Sequence, residues 1–260
     1  MFEPDCFEGR RVLITGGGTG IGRELAQRFA GHGAEVGVAA RREEPLEATC
    51  EAIREEGGSA RWETVDIRDE DRVEACVEAF WEAWGRIDVL INNAGANFIS
   101  PAAAISANGW RTIIETNLTG TFLMSRAVGR RLMQDEGGGR IINISATNAE
   151  RGSPMIAHSG ASKAGINSLT ESLAVEWGPG GVTVNAILPG PVRTEGSDEQ
   201  LWQDEELVEE MESQIPLGRF GTPEDIAPLA LFLASDAGGF INGALIPCDG
   251  GDRLRSPMFG

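Results

Sequence analysis

The chain has 260 residues and a mass of 27.7 kDa, enough for a sizeable core in one large domain or two small ones. Its thirty-five glycines, nearly twice the usual share of ~7%, follow no collagen-like period and form no low-complexity run, which excludes fibrous and disordered classes. Twenty-two basic residues against forty acidic ones leave a net charge of −18, which argues against a general binder of nucleic acid or anionic membrane. In chain order, RVLITG (Arg11–Gly16) reads as a buried strand, followed by a glycine-rich turn and a helix to about His32. Ala34–Ala40 predicts a second strand, Pro45–Glu56 a helix and Ala60–Asp66 a third strand. Arg72–Trp84 predicts a helix with Val73, Cys76, Val77 and Phe80 at helical spacing. IDVLINNAG is a fourth strand running into a turn, and a long helical stretch over about Asn108–Gln134 follows. RIINIS (Arg140–Ser145) is a fifth strand, Ser159–Trp177 a helix and Val182–Gly190 a sixth strand. Thr222–Ala234 reads as a helix capped by Thr222 with Pro223 in its first turn, and Ala244–Pro247 as a short last strand. This alternation predicts an α/β fold, a doubly wound parallel sheet with helices on both faces, in a single domain over residues 1–260.

No apolar run reaches the roughly 20 residues of a membrane span. The first residues, MFEPDCFEGRR, lack the layout of a signal peptide, so a soluble cytoplasmic protein is expected. Four scattered cysteines without a CxxC, and only His32 and His158, predict neither a disulfide frame nor a metal site. The chain holds one lysine, Lys163, and no tyrosine. Arginine-rich genomic bias accounts for most of that, but a lone lysine in a site-like context carries information.

Ligands of such sheets bind beyond the carboxyl ends of the strands. The first of these loops carries TGGGTGIG, with Gly16, Gly20 and Gly22 at GxxxGxG spacing around Thr19 and Ile21. Glycines there let the backbone meet a pyrophosphate at a helix N-terminus. An acidic residue at the end of the second strand would accept from a ribose 2′-hydroxyl. That place holds Ala40, and Arg41 and Arg42 follow, whose guanidinium groups suit a 2′-phosphate and favour NADP(H) over NAD(H).

TGGGTGIG, Asp66, NNAG (Asn92–Gly95), Asn117, Ser145, Lys163 and PGPVRT (Pro189–Thr194), in this order over nearly the whole chain, resemble the short-chain dehydrogenase/reductase family. The resemblance implies a seven-stranded Rossmann-like sheet, a nicotinamide cofactor and a homotetramer or dimer. It implies that Asp66 accepts from the adenine amine, that Asn92 and Ala94 line the adenosine and that Thr194 meets the carboxamide. Ile67, Asn93, Gly95, Pro189, Gly190 and Val192 are implied as further cofactor contacts. Most relatives place a tyrosine four residues before the lysine; here that residue is Ser159. A serine hydroxyl is a weak acid beside a phenol.

The subgroup of 2,4-dienoyl-CoA and peroxisomal trans-2-enoyl-CoA reductases resembles the chain further, in GGGTG, NNAGANFISP, HSGA (His158–Ala161) and INGALIPCDGG. That likeness implies that Asn97 holds a thioester carbonyl, while the subgroup's own tyrosine position is Asn148. Asn97, Asn148, Ser159 and Lys163 are thus candidate holders of an enolate, with Ser145 and Asn117 as the remaining catalytic candidates. Asn148 could instead cap a turn and Ser159 a helix. His158 is expected at a helix start facing solvent, with service as an acid as the alternative.

A small-molecule substrate is expected, with an acyl-CoA foremost. Arg151, Arg193, Arg219 and Arg253 are the candidate partners of its phosphates. Glu195–Ser213, in the expected lid at about 195–215, is strongly acidic and is read first as a solvated helix face, with a neutral or cationic substrate as the alternative. Three classes stay open: a thioester double-bond reductase, a carbonyl reductase or alcohol dehydrogenase without tyrosine, and a non-catalytic dinucleotide binder.

Overall fold

A computed structural model describes residues 3–135, 137–196 and 205–254. The strands are β1 (Arg11–Thr15), β2 (Glu35–Ala40), β3 (Ser59–Thr64), β4 (Val89–Asn92), β5 (Gly139–Ile144), β6 (Val182–Pro189) and β7 (Leu245–Cys248). They form one sheet in the order β3-β2-β1-β4-β5-β6-β7, and every neighbouring pair is parallel. Each predicted strand appears within two residues of its expected place. The order reverses between β1 and β4, which opens a crevice at their carboxyl ends.

Strand residues alternate between two cores because successive side chains leave opposite faces. On one face Val12, Ile14, Val36, Val38, Val89 and Ile91 pack with Leu25 and Phe29 of α1 (Gly20–Gly31), Leu46 and Ile53 of α2 (Glu43–Glu55) and Leu231 near the end of the chain. On the other, Leu13, Leu90, Ile141 and Val184 meet Val77 and Phe80 of α3 (Glu70–Trp84). The long helical stretch divides into α4 (Ala107–Ile114), a π-helical turn (Glu115–Thr119) and α5 (Gly120–Leu132). Met124 and Val128 of α5 and Trp177 of α6 (Ala157–Trp177) complete the second core. The helix α7 (Glu205–Ser213) falls in the acidic segment expected as a lid; residues 197–204 of that segment lie outside the described residues. A final helix, α8 (Pro223–Ala234), starts as expected at Thr222, whose backbone N–H donates to Asp225 at 2.8 Å.

The π turn departs from the continuous helix predicted for residues 108–134, and its cause is Asn117. A five-residue turn carries this amide to the interior, where it is 1% exposed. Its Oδ1 accepts from the Ala96 N–H at 2.8 Å, and its Nδ2 donates to the Ala96 carbonyl and the Ser162 hydroxyl. Every hydrogen-bonding valence that burial exposes to risk is met.

Candidate active site

The turn after β1 is built around glycines that nothing larger replaces. Gly16 has φ +69°, and a Cβ there would lie 2.9 Å from the Ala94 Cα; a Cβ at Gly22 would run into the Gly16 carbonyl. Asn93 staples this turn by donating to the carbonyls of Thr15 and Gly16, and the Thr15 hydroxyl accepts from the N–H groups of Asn93 and Ala94. Thr19, the N-cap of α1, makes no side-chain cap bond, and the first turn of α1 has no acidic residue. Its leading amides therefore face the crevice with the positive end of the helix dipole.

A groove of about 340 Å³ opens there. Of the residues expected to hold the cofactor, Gly16, Thr19, Gly20, Ile21, Arg41, Arg42, Asp66, Ile67, Asn93, Ala94, Gly95 and Thr194 line it. Gly22, Lys163, Pro189, Gly190 and Val192, also expected there, are not among its lining residues. Asn92 corrects the expectation. It is buried, donating to Ser125 and Asn143, and ties β4 to β5 instead of lining the adenosine site. A second hollow, about 430 Å³, lies between Arg23, Gln27, Ala48 and Glu224; it shares Gly20 and Thr194 with the first groove and holds none of the catalytic candidates.

Arg68, unforeseen in the sequence, grips Asp66. Its Nε reaches Oδ1 at 2.9 Å and its Nη2 reaches Oδ2 at 2.5 Å, and with Arg41 nearby this holds the carboxyl down at about 2. Arg41 and Arg42 are exposed at the end of β2 beside the half-buried Ala40, so three guanidinium groups ring one end of the groove. The motif DIR was the available signal, an acid and a base two residues apart in a loop.

Next to Gly95 of the groove, whose missing Cβ would stand 3.8 Å from the Lys163 Nζ, lies the proposed chemical centre. The Lys163 ammonium donates to the Ile144 carbonyl at 2.7 Å, and burial pushes it down to about 8. Ser145 is buried and gives its proton to Asn167 at 2.6 Å, leaving its lone pairs for other donors. Asn167 was also missed, although it stands one helical turn beyond Lys163. Ser159 is the third residue of α6, so it is not the helix cap; that place belongs to Ile156. The Asn148 amide, in a short turn over Thr147–Ala149, lies 3.5 Å from the Ser159 hydroxyl. Asn97 accepts from the Phe98 N–H at 2.9 Å, and its own Nδ2 has no partner among the described residues. Asn117 meets protein atoms on all sides and holds Ala96 and Ser162 in place.

His158 is a further correction. It does not face solvent: it is fully buried against Phe98, with ring centroids 4.1 Å apart, because the loop after β4 folds over the start of α6. Of the arginines expected to meet CoA, Arg151 pairs with Asp252 at 2.6 Å, Arg219 with both oxygens of Asp225 and Arg253 with Glu150. The Arg193 N–H donates to the Gly221 carbonyl.

This fold and crevice define a nicotinamide-dependent oxidoreductase, and comparison with known proteins agrees. The family model for enoyl-(acyl carrier protein) reductase matches residues 16–252. The chain belongs to the short-chain dehydrogenase/reductase family and is an NAD(P)-dependent oxidoreductase. It is 42% identical over 253 residues to a probable 2,4-dienoyl-CoA reductase of Bacillus subtilis, covering 97% of this chain and 100% of that one. A peroxisomal 2,4-dienoyl-CoA reductase of Danio rerio is 36% identical, with 98% of this chain and 85% of the relative covered. Among solved structures, a proposed NAD(P)-dependent gluconate 5-dehydrogenase from Beutenbergia cavernae, with NADP bound at low occupancy, superposes with a TM-score of 0.91 at 36% identity, covering 97% of this chain and 100% of that one. The chain is thus similar both to thioester reductases and to a sugar-acid dehydrogenase.

Proposed function

We propose that the protein is an NADP(H)-dependent reductase of the conjugated double bond of an enoyl or dienoyl thioester, with acyl-CoA as the foremost substrate. The observation that carries this reading is the Ser159–Asn148 pair, which occupies both tyrosine positions of the resembling enzymes in a chain with no tyrosine. The relatives named as dienoyl-CoA reductases support it.

The residues of the groove fit a dinucleotide. The α1 amides would take its diphosphate, Arg41 and Arg42 a 2′-phosphate, Asp66 the adenine amine and Lys163 the ribose hydroxyls. When bound, the nicotinamide supplies a hydride to carbon. What the protein must then do is hold charge. Attack on a conjugated thioester sends the electron pair to the carbonyl oxygen as an enolate, a weaker base than the alkoxide of a reduced ketone. The Asn97 Nδ2, left over when its Oδ1 accepts from Phe98, would donate to that oxygen, and the Lys163 ammonium would add a cation. Such donors are typically worth ~2.7–4 kcal/mol each. Ser159 and Asn148 supply neutral donors beside them, and the carbon takes its proton from water. No phenol is needed. A homo-oligomer, dimer or tetramer, working in the cytoplasm is part of the proposal; among the described residues no helix is long and apolar enough to cross a membrane.

Steady-state NADPH oxidation with a 2,4-dienoyl-CoA, crotonyl-CoA and a panel of ketones tests the assignment, with products identified by mass. Turnover of a thioester with the ketones left untouched is expected. Ketone reduction with the thioesters left intact overturns it, and NADPH binding without turnover of anything points to a dinucleotide-binding protein.

A further inference from the structure

His158 is a titratable side chain at the centre that the mechanism leaves idle. It is 0% exposed, and neither ring nitrogen has a partner among the described residues. Buried polar groups are nearly always satisfied, so an imidazole here carries a desolvation cost that a plain apolar side chain would avoid. The ring is not loosely placed. It lies against Phe98 at an interplanar angle of 51°. Phe98 is gripped from the other side by α4, where its Cζ stands 3.1 Å from the Cβ that Gly109 lacks. A backbone bond closes the junction: the Ser100 N–H donates to the carbonyl of Met155, a residue held at φ +68° just before α6.

The two ends of this junction are chemical. Phe98 gives its N–H to the Asn97 Oδ1, which fixes which end of that amide points outward. His158 directly precedes Ser159 on α6. We infer that His158 is a positioning residue: wedged against Phe98, it fixes the Asn97 amide relative to Ser159 and Lys163. The inference rests on the thioester reading given above, in which Asn97 holds the carbonyl oxygen. A neutral ring suits the task, because an imidazolium buried with no partner would drive the two loops apart. Misplacement of a holding group by about 1 Å can cost on the order of 10²-fold in rate, so a wedge at this point governs turnover without touching substrate.

The test uses the full-length protein carrying His158→Ala or His158→Phe, each also combined with Asn97→Ala. His158→Ala should lower kcat on a 2,4-dienoyl-CoA by roughly 10-fold to 10²-fold, with the NADPH dissociation constant unchanged, and His158→Phe should restore most of the loss by keeping a ring on Phe98. In the Asn97→Ala background His158→Ala should cost nothing more, since both act through one amide. Backbone amide exchange gives a readout that needs no turnover. Exchange over residues 96–100 should rise in His158→Ala, stay low in His158→Phe, and leave α6 and the glycine turn protected. Multiplicative losses in the double variant, or unchanged exchange over 96–100, overturn the inference. A wild type that reduces no thioester overturns the reaction instead, and the exchange result then judges the wedge by itself.

Discussion

Lys163 meets two opposed demands. The proposed binding of cofactor and enolate calls for a cation, while burial pushes the ammonium down to about 8 from an ordinary 10.5. Since kcat/KM reports the free enzyme, it should fall as pH rises through about 8, and Lys163→Arg should remove that limb from the accessible range. A pH profile that stays flat to pH 10 would contradict this. The same shift acts on stability with the opposite sign. Between about 8 and 10.5 the unfolded chain holds the proton that the folded chain has lost, so stability rises with pH across that window. Ser159→Tyr restores a phenol one turn before Lys163 and should raise ketone reduction by about 10²-fold, the low end for general acid catalysis, with little gain on a thioester. Steady-state rates on one ketone and one enoyl-CoA check it. At the cofactor's far end, NADPH should bind at least about tenfold tighter than NADH, or ~1.4 kcal/mol, and Arg41→Ala with Arg42→Ala should erase the difference in a tryptophan-fluorescence titration. Residue types and spacing made the groove legible, because glycine, arginine and the lone lysine are each tied to one kind of contact. Partnership was not legible. Asn167 on Ser145 and Phe98 on His158 arise where α6 meets loops after β5 and β4, far apart in sequence, while Arg68 on Asp66 is a contact within one loop that only the DIR spacing hinted at.

Among the elements, α3 and α5 are joined by an ion-pair ladder. Glu74 reaches Arg130 at 2.6 Å and Arg131 at 3.4 Å, Arg126 reaches Glu70 at 2.6 Å, and Arg131 also pairs with Glu78. Single exposed pairs contribute only ~0.2–1 kcal/mol, but a carboxylate shared by several arginines does more. Glu74→Ala should lower stability by about 1 kcal/mol, a Tm shift of roughly 2–4 °C for a chain of this size, and calorimetry at low salt would show it. Where α5 meets α6, helix propensity misleads. Gly129 in α5 leaves 2.5 Å between its absent Cβ and the Trp177 ring. Gly129→Ala gains ~1 kcal/mol of propensity but overpacks the contact at a cost of ~1–3 kcal/mol, so a net loss in urea stability is expected. Periodicity predicted strands and most helices because burial on both sheet faces writes a strong pattern. It ran straight through Asn117, since one extra residue in a turn leaves the apolar pattern on either side intact.

On the scale of the whole molecule, charge opposes the fold. A net −18 repels itself in dilute buffer, and added salt screens this beyond a Debye length of about 10 Å at 0.1 M. The ladder's close pairs weaken as well, but they are few against an excess of eighteen negative charges. Tm should therefore rise between dilute buffer and roughly 0.5 M NaCl, while the gap between wild type and Glu74→Ala narrows. The same excess repels a polyanionic thioester at long range, and Arg151, Arg219 and Arg253 are already paired within the chain. The double bond of the substrate, not its handle, must then supply the discrimination. The ratio of kcat/KM for NADPH-dependent reduction of a 2,4-dienoyl-CoA to that for a ketone of similar size measures it directly. A site without a phenol should favour the thioester by about 10²-fold or more, the contribution a placed general acid would make to the ketone. A ratio near one, or one favouring the ketone, would contradict the account.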